Sequence, residues 1–154
     1  MKNNERFLKL ITDHYNGEPW LDISFKTTIA NVSSNDAVKN IAGLNSIWQI
    51  VVHLTEWRLT LLKRLNNKLA PAPSDNFFNS ISNCSEEAWI QVKKNYENSQ
   101  KKIISHLLKH NNRQWDQKPA AGSYSHFELL NGVLQHDAYH LGQIVIIKKM
   151  LAQV

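Results

Sequence analysis

Apolar positions recur every three to four residues over four long stretches of the chain, and this spacing predicts amphipathic helices. The first stretch covers about residues 3–16 and ends at Gly17 and Pro19. The second stretch covers about residues 44–67, and Pro71 prevents its continuation. Because long amphipathic helices bury their apolar faces against one another, the pattern predicts an all-α protein with a four-helix bundle.

The two remaining stretches each begin at a serine that can cap a helix. Ser85 precedes two glutamates, which the positive end of a helix dipole favours, and that stretch ends near His110. Ser125 and Glu128 have the spacing of a capping box, in which each side chain satisfies a backbone N–H group of the other residue. The sequence therefore predicts that the fourth helix runs from Ser125 to about residue 151.

The connection between the first two predicted helices, EPWLDISFKTTIANVSSNDAVKNIAG, is long. Compact domains seldom contain structureless loops of this length, so we expect it to hold short helical turns or to line a functional site. Within it, ISFKTTIANV is a weak candidate for a strand. No internal repeat is evident, and 154 residues are enough for one hydrophobic core, so a single domain over residues 1–154 is predicted.

Composition and charge disfavour several classes of protein. No apolar run approaches the roughly 18 residues of a membrane span, and charges interrupt the N-terminal apolar stretch, unlike a signal peptide. A cytoplasmic protein is therefore predicted. The net charge of +5 permits weak attraction to anions, but the lysines are scattered, which makes nucleic-acid binding unlikely. Cys84 is the single cysteine, so a multi-cysteine zinc site is excluded.

The candidate chemistry lies in HDAYHLGQI, where His136 and His140 are four residues apart. Such residues share one helix face with Cβ atoms about 5–6 Å apart, so both rings can bind one metal ion. Alone, the pair is more often two exposed or hydrogen-bonded histidines, because a stable metal site needs a third ligand. Both share a face with Val133, Ile144 and Ile147, however, and a polar group that points inward needs a partner.

His53 is the candidate third ligand. It lies one turn from Ile50 and Trp57 on the inward side of the second predicted helix, and neighbouring helices of a bundle can direct side chains to one point. A single inward histidine is more often a hydrogen-bonded core residue, but the set of three favours metal binding. The other histidines are interpreted as exposed or as partners of a helix dipole: His14, His106, His110 and His126.

Four polar residues near these histidines have open roles. Asp137 occupies the position of the general-base glutamate in the HExxH motif of zinc proteases, but it points about 100° away from the preceding residue and is shorter. A residue that supports a ligand histidine or packs between helices is therefore favoured over a general base. Glu56 lies one turn after the histidine of the second helix and is interpreted either as its hydrogen-bond partner or as a solvated surface residue. Tyr139 and Gln143 are candidates for orienting a substrate.

SIWQIVVHLTEW in the second predicted helix, together with HDAYHLGQIVIIKKML near the C-terminus, resembles the DinB/YfiT-like superfamily. The resemblance covers nearly the whole chain, and Gly142 and Gln143 match the end of the HxxxHxGQ motif. It implies a four-helix bundle that holds divalent zinc, nickel or iron through His53, His136 and His140. It also implies a homodimer that acts on a small-molecule substrate.

Three neutral imidazoles leave coordination positions open on an ion, which then acts as a Lewis acid on a water or a thiol. Characterised members of the DinB/YfiT-like superfamily, which the sequence resembles, include transferases that use glutathione, mycothiol or bacillithiol, and a glutathione-dependent maleylpyruvate isomerase. Other members are described as metal-dependent hydrolases. We therefore expect a metal-dependent enzyme, either a low-molecular-weight-thiol S-transferase or a hydrolase. The alternative is a non-catalytic bundle that binds a ligand or a partner. A di-iron carboxylate bundle is excluded because the sequence has no Glu-x-x-His motif.

Overall fold

All the elements in the computed structural model, which describes residues 3–111, 113–120 and 122–153, are helices. In chain order they are α1 (Asn3–Asn16), α2 (Phe25–Ala30), α3 (Ser34–Ala37), α4 (Ile47–Leu65), α5 (Glu86–Lys109) and α6 (His126–Leu151). The all-α class and the four long helices are confirmed, although α4 is shorter than predicted at both ends. None of the helices in this part of the chain is long and apolar enough to cross a membrane.

The long connection before α4 contains two short helices, as the prediction of helical turns suggested. The strand candidate ISFKTTIANV is wrong, because its central residues form α2. The side chains of Thr27 and Thr28 donate hydrogen bonds to the Ser24 carbonyl at 3.0 and 2.7 Å, which closes the first helical turn. Phe25 and Ile29, four residues apart, are both buried on one face. The described part of the chain therefore has six helices, whereas the sequence predicts four long ones.

The four long helices pack side by side, with α4 against both α5 and α6 and with α1 against α5. The buried side chains form two clusters, one around Trp48, Trp89 and Tyr96 and another around Phe7 and Trp115. The Trp89 indole N–H donates a hydrogen bond of 2.7 Å to the Val32 carbonyl, which ties the first connection to α5. The contact between α4 and α6 brings together the two helices that carry the predicted site.

The predicted capping box at the start of α6 is present. The Ser125 hydroxyl accepts a hydrogen bond from the Glu128 N–H at 3.2 Å, and the Glu128 carboxylate accepts one from the Ser125 N–H at 2.7 Å. Ser125→Ala is expected to lower the free energy of unfolding by about 1 kcal/mol, because one helix N–H loses its partner. Urea unfolding followed by circular dichroism measures the change. Ser123→Ala, at an exposed position outside the helix, serves as the control, and equal effects of the two substitutions would contradict the prediction.

Candidate metal centre

His53, His136 and His140 meet between α4 and α6, where one ring nitrogen of each lies within 4.8 Å of the other two. The Nε2 atoms of His53 and His136 are 2.9 Å apart, and the ring of His140 is centred 4.7 and 4.6 Å from the other two rings. Two nitrogens that share a tetrahedral ion are about 3.3 Å apart. The structure therefore shows the predicted convergence, and metal binding by these residues remains a prediction.

Packing on both helices turns the three rings inward. Leu54 follows His53 on α4 and Leu141 follows His140 on α6, and both leucines are fully buried. His53 is 1% exposed and His140 is 6% exposed, whereas His136 is only partly buried. The cluster is thus closed toward the core, and His136 forms its more open side.

Hydrogen bonds fix which nitrogen of two rings faces the cluster. Nδ1 of His53 lies 2.6 Å from the Asn76 carbonyl oxygen, which can only accept, so Nδ1 donates and the lone pair of Nε2 faces the other rings. The Gln143 amide donates to the Tyr139 hydroxyl at 2.9 Å, which leaves its Oε1 to accept from Nδ1 of His140 at 2.7 Å. Gln143 therefore orients a candidate ligand.

The three rings are neutral at pH 7. The pKa of His53 is lowered to about 4, chiefly by burial and also by the neighbouring His140 and His136, against the opposing effect of the Asn76 carbonyl. Burial is also the largest cause of the lowered pKa values of His136 and His140. A neutral imidazole keeps the lone pair that a metal ion requires, so the cluster can take up an ion without first losing protons.

Asp137 forms a buried ion pair with Arg58. Its Oδ2 accepts hydrogen bonds from Nε and Nη2 of Arg58 at 2.9 and 2.6 Å, and neither side chain is exposed. Nη1 of Arg58 donates to Gln100 at 2.6 Å, and the Gln100 amide donates to the Ile11 carbonyl at 2.9 Å. Asp137 is therefore a packing partner, as the sequence favours. Its own partner, Arg58, was not predicted.

The segment that supports His53 comes from the connection between α4 and α5. Phe78 stacks on the His53 ring with centroids 4.1 Å apart and planes inclined by 10°. Asn76 and Phe77 have φ values of 51° and 62°, a left-handed conformation that is strained for an aromatic residue. Strain of this kind persists where the surroundings hold it, here beside a candidate site. No pattern in the sequence predicts the role of this segment.

Glu56 does not take the supporting role that the sequence left open for it. It is partly buried on α4, and its carboxylate makes no hydrogen bond to the three rings among the residues that the structure describes. The Asn76 main chain occupies the position at Nδ1 of His53 instead.

A cleft of about 390 Å³ opens beside His136. Its walls are mostly apolar, and Arg64 and Glu128 add one charge of each sign. The remaining lining residues come from α4, α6 and the connections that flank them: Trp57, Leu61, Asn76, Tyr124, Leu129, Gly132 and Val133. A small molecule in this cleft would approach the histidine cluster from the side of His136.

The interpretation of three other histidines as exposed residues is wrong. His110 and His126 are each 5% exposed, and His106 is partly buried. Trp115, in the connection between α5 and α6, packs against His110 with ring centroids 4.5 Å apart. These three histidines form a second cluster in the described part of the chain.

Comparison with known proteins places these observations in a family. The sequence model of the DinB superfamily matches residues 8–144, a span that contains His53, His136 and His140. No curated protein and no solved structure gives a significant match. Because the family match covers most of the chain, this protein belongs to the DinB superfamily.

Proposed function

We propose that this protein is an enzyme that depends on a divalent metal ion held by His53, His136 and His140. Its reaction is the transfer of a low-molecular-weight thiol to a small-molecule substrate or, as the second candidate, a hydrolysis. The observation that carries the proposal is the convergence of three neutral rings beside an open cleft. Membership of the DinB superfamily supports it.

The donor set fits the proposed ion. Three imidazole nitrogens suit zinc, nickel or iron, and a three-histidine site leaves coordination positions open. When bound, such an ion supplies Lewis-acid activation of a water or a thiol. The chain itself orients the ligands, because Asn76 and Gln143 each hold one ring through Nδ1. Phe78 covers one face of His53 and limits the access of water from that side.

The charged residues of the cleft indicate the kind of substrate that it can bind. Arg64 lies over the Trp57 ring at 5.4 Å, and Glu128 lines the same cleft. A cation and an anion around an apolar centre suit a small molecule that carries both a carboxylate and an ammonium group. Thiols built from amino acids have this character, which supports thiol transfer over hydrolysis.

The decisive experiment compares His53→Ala with Glu56→Ala in protein purified without a histidine tag. We expect His53→Ala to lose one equivalent of bound metal and to lower turnover at least about 100-fold, because an ion held by two histidines binds weakly. Elemental analysis measures the metal, and assays of glutathione conjugation to an aryl halide and of ester hydrolysis measure turnover. The control is Glu56→Ala, one turn further along α4. It is expected to leave the metal content and the turnover of the protein unchanged.

Two results would contradict the proposal. If His53→Ala keeps its metal and its turnover, the three rings are not the site. If the unsubstituted protein binds the ion but turns over neither class of substrate, the non-catalytic alternative is favoured.

Other features of the protein are proposed on the same basis. We propose that the four long helices are the predicted four-helix bundle, with α2 and α3 as inserts of its first connection, and that residues 1–154 form one domain. We further propose that the protein is a cytoplasmic homodimer. It acts on a small molecule and binds neither a membrane nor a nucleic acid.

A further inference from the structure

The second histidine cluster lies where α5 ends and α6 begins. His106 and His110 are one turn apart at the end of α5, and His126 is the first residue of α6. One ring nitrogen of each lies within 4.8 Å of the other two, as in the first cluster. Both clusters thus combine two histidines four residues apart with a third from another helix.

We propose that His106, His110 and His126 form a second metal site, which binds a zinc-like divalent ion and joins the ends of α5 and α6. Nε2 of His110 and Nδ1 of His126 are 3.0 Å apart, close to the roughly 3.3 Å between two nitrogens that share a tetrahedral ion. The ring centroids of His106 and His110 are 5.8 Å apart, so the third ligand is within reach of the same point.

An unsatisfied nitrogen distinguishes this cluster from an ordinary packed core. Nε2 of His106 is buried and has no hydrogen-bond partner among the described residues. Most buried polar atoms have a partner, because an unpaired one is costly to bury. The hydrogen bond between His110 and His126 does not involve this nitrogen, whereas an ion shared by the three rings would satisfy it.

The protonation state of the cluster also suits a metal ion. Burial, together with the neighbouring His126 and His106, lowers the pKa of His110 to about 4, and burial also lowers the pKa values of His106 and His126. All three rings are therefore neutral at pH 7. His106 is only partly buried, so an ion can enter from its side of the cluster.

An ion at this position would stabilise the connection between α5 and α6. In the described part of the chain, two backbone hydrogen bonds of 3.0 Å link the start of α6 to the middle of this connection, from His126 to Gln117 and from Phe127 to Trp115. Tyr124, near the end of the same connection, lines the cleft beside the first cluster. Occupation of the second site is therefore expected to order one wall of the proposed substrate cleft.

Zinc titration of the metal-free, untagged protein tests the proposal. We expect two equivalents to bind with micromolar or tighter affinity in the unsubstituted protein, one in His106→Ala, one in His53→Ala, and none in the double variant. Ser105→Ala changes an exposed neighbour of His106 and is expected to bind two. Calorimetry and elemental analysis after dialysis measure the stoichiometry.

Thermal unfolding gives an independent measurement. In the His53→Ala background, zinc is expected to raise the melting temperature, and the additional substitution His106→Ala is expected to abolish that rise. If His106→Ala does not fold, His106→Gln provides the same comparison with a side chain of similar size.

Two results would overturn the second site. One is a single equivalent in the unsubstituted protein that His53→Ala removes. The other is a second equivalent that survives both substitutions of His106. Because His53→Ala removes only the first cluster, failure of the second site and failure of the proposed enzyme are distinguishable.

Discussion

Arg58→Met is expected to lower the free energy of unfolding by about 3–5 kcal/mol, because it leaves the carboxylate of Asp137 buried without a counter-charge. Both side chains are completely buried, and Oδ1 of Asp137 already has no hydrogen-bond partner among the described residues. Urea unfolding in the presence of a chelator measures the loss without a contribution from bound metal.

The double variant Arg58→Met, Asp137→Leu is the informative comparison. Removal of both charges avoids the unpaired buried ion, so the double variant is expected to recover most of the lost stability. Lys63→Met is a control at an exposed position of the same helix, and it is expected to change the free energy of unfolding by less than about 1 kcal/mol. A loss of that small size for Arg58→Met would contradict the prediction.

The ion pair belongs to a network that touches all four long helices. Arg58 of α4 binds Asp137 of α6 and Gln100 of α5, and Gln100 binds the Ile11 carbonyl of α1. Buried polar groups tolerate few alternative partners, so this network specifies how α4 and α6 are aligned. That alignment brings His53 of α4 opposite the two histidines of α6. We therefore interpret Asp137, next to His136 in sequence, as a residue that helps to position the histidines through its ion pair with Arg58.

The sequence predicted those parts of the protein that depend on local spacing. The long helices follow from apolar periodicity, and His136 and His140 share a face because a helix repeats about every four residues. His53 followed from the inward face of its own helix. The strand candidate failed because the run that forms α2 is too short for periodicity to separate strand from helix.

The parts that were missed depend on contacts between distant residues. The Asn76 carbonyl reaches His53 only because the backbone of a loop adopts left-handed conformations, which no local pattern indicates. Positions near helix ends predict that the second histidine cluster is exposed, but its members are largely buried, and Trp115 from the following connection packs against His110. One feature of the sequence indicates a buried ion pair: Arg58 has the same helical spacing as the apolar residues Leu54 and Leu61, which places it on the inward face of α4.

Acidification from pH 7.5 to pH 5 is expected to destabilise the metal-free protein by about 4 kcal/mol or more. Burial lowers the pKa of every histidine in the chain, and it lowers those of His53 and His110 to about 4. A group with a lowered pKa stabilises the fold above its unfolded value of about 6.5, and that stability is lost as the pH falls toward the folded value. His53 and His110 each account for about 2 kcal/mol at pH 5.

Urea unfolding at the two pH values, with chelator and at constant ionic strength, measures this dependence. His53→Ala is expected to reduce the difference by about 2 kcal/mol, because the variant lacks one of the two most strongly shifted rings. The zinc-loaded protein is expected to show a steeper loss, since protons and the ion compete for the same nitrogens. Equal stability of the metal-free protein at pH 7.5 and pH 5 would show that the histidines are solvated, contrary to the burial on which both proposed metal sites depend.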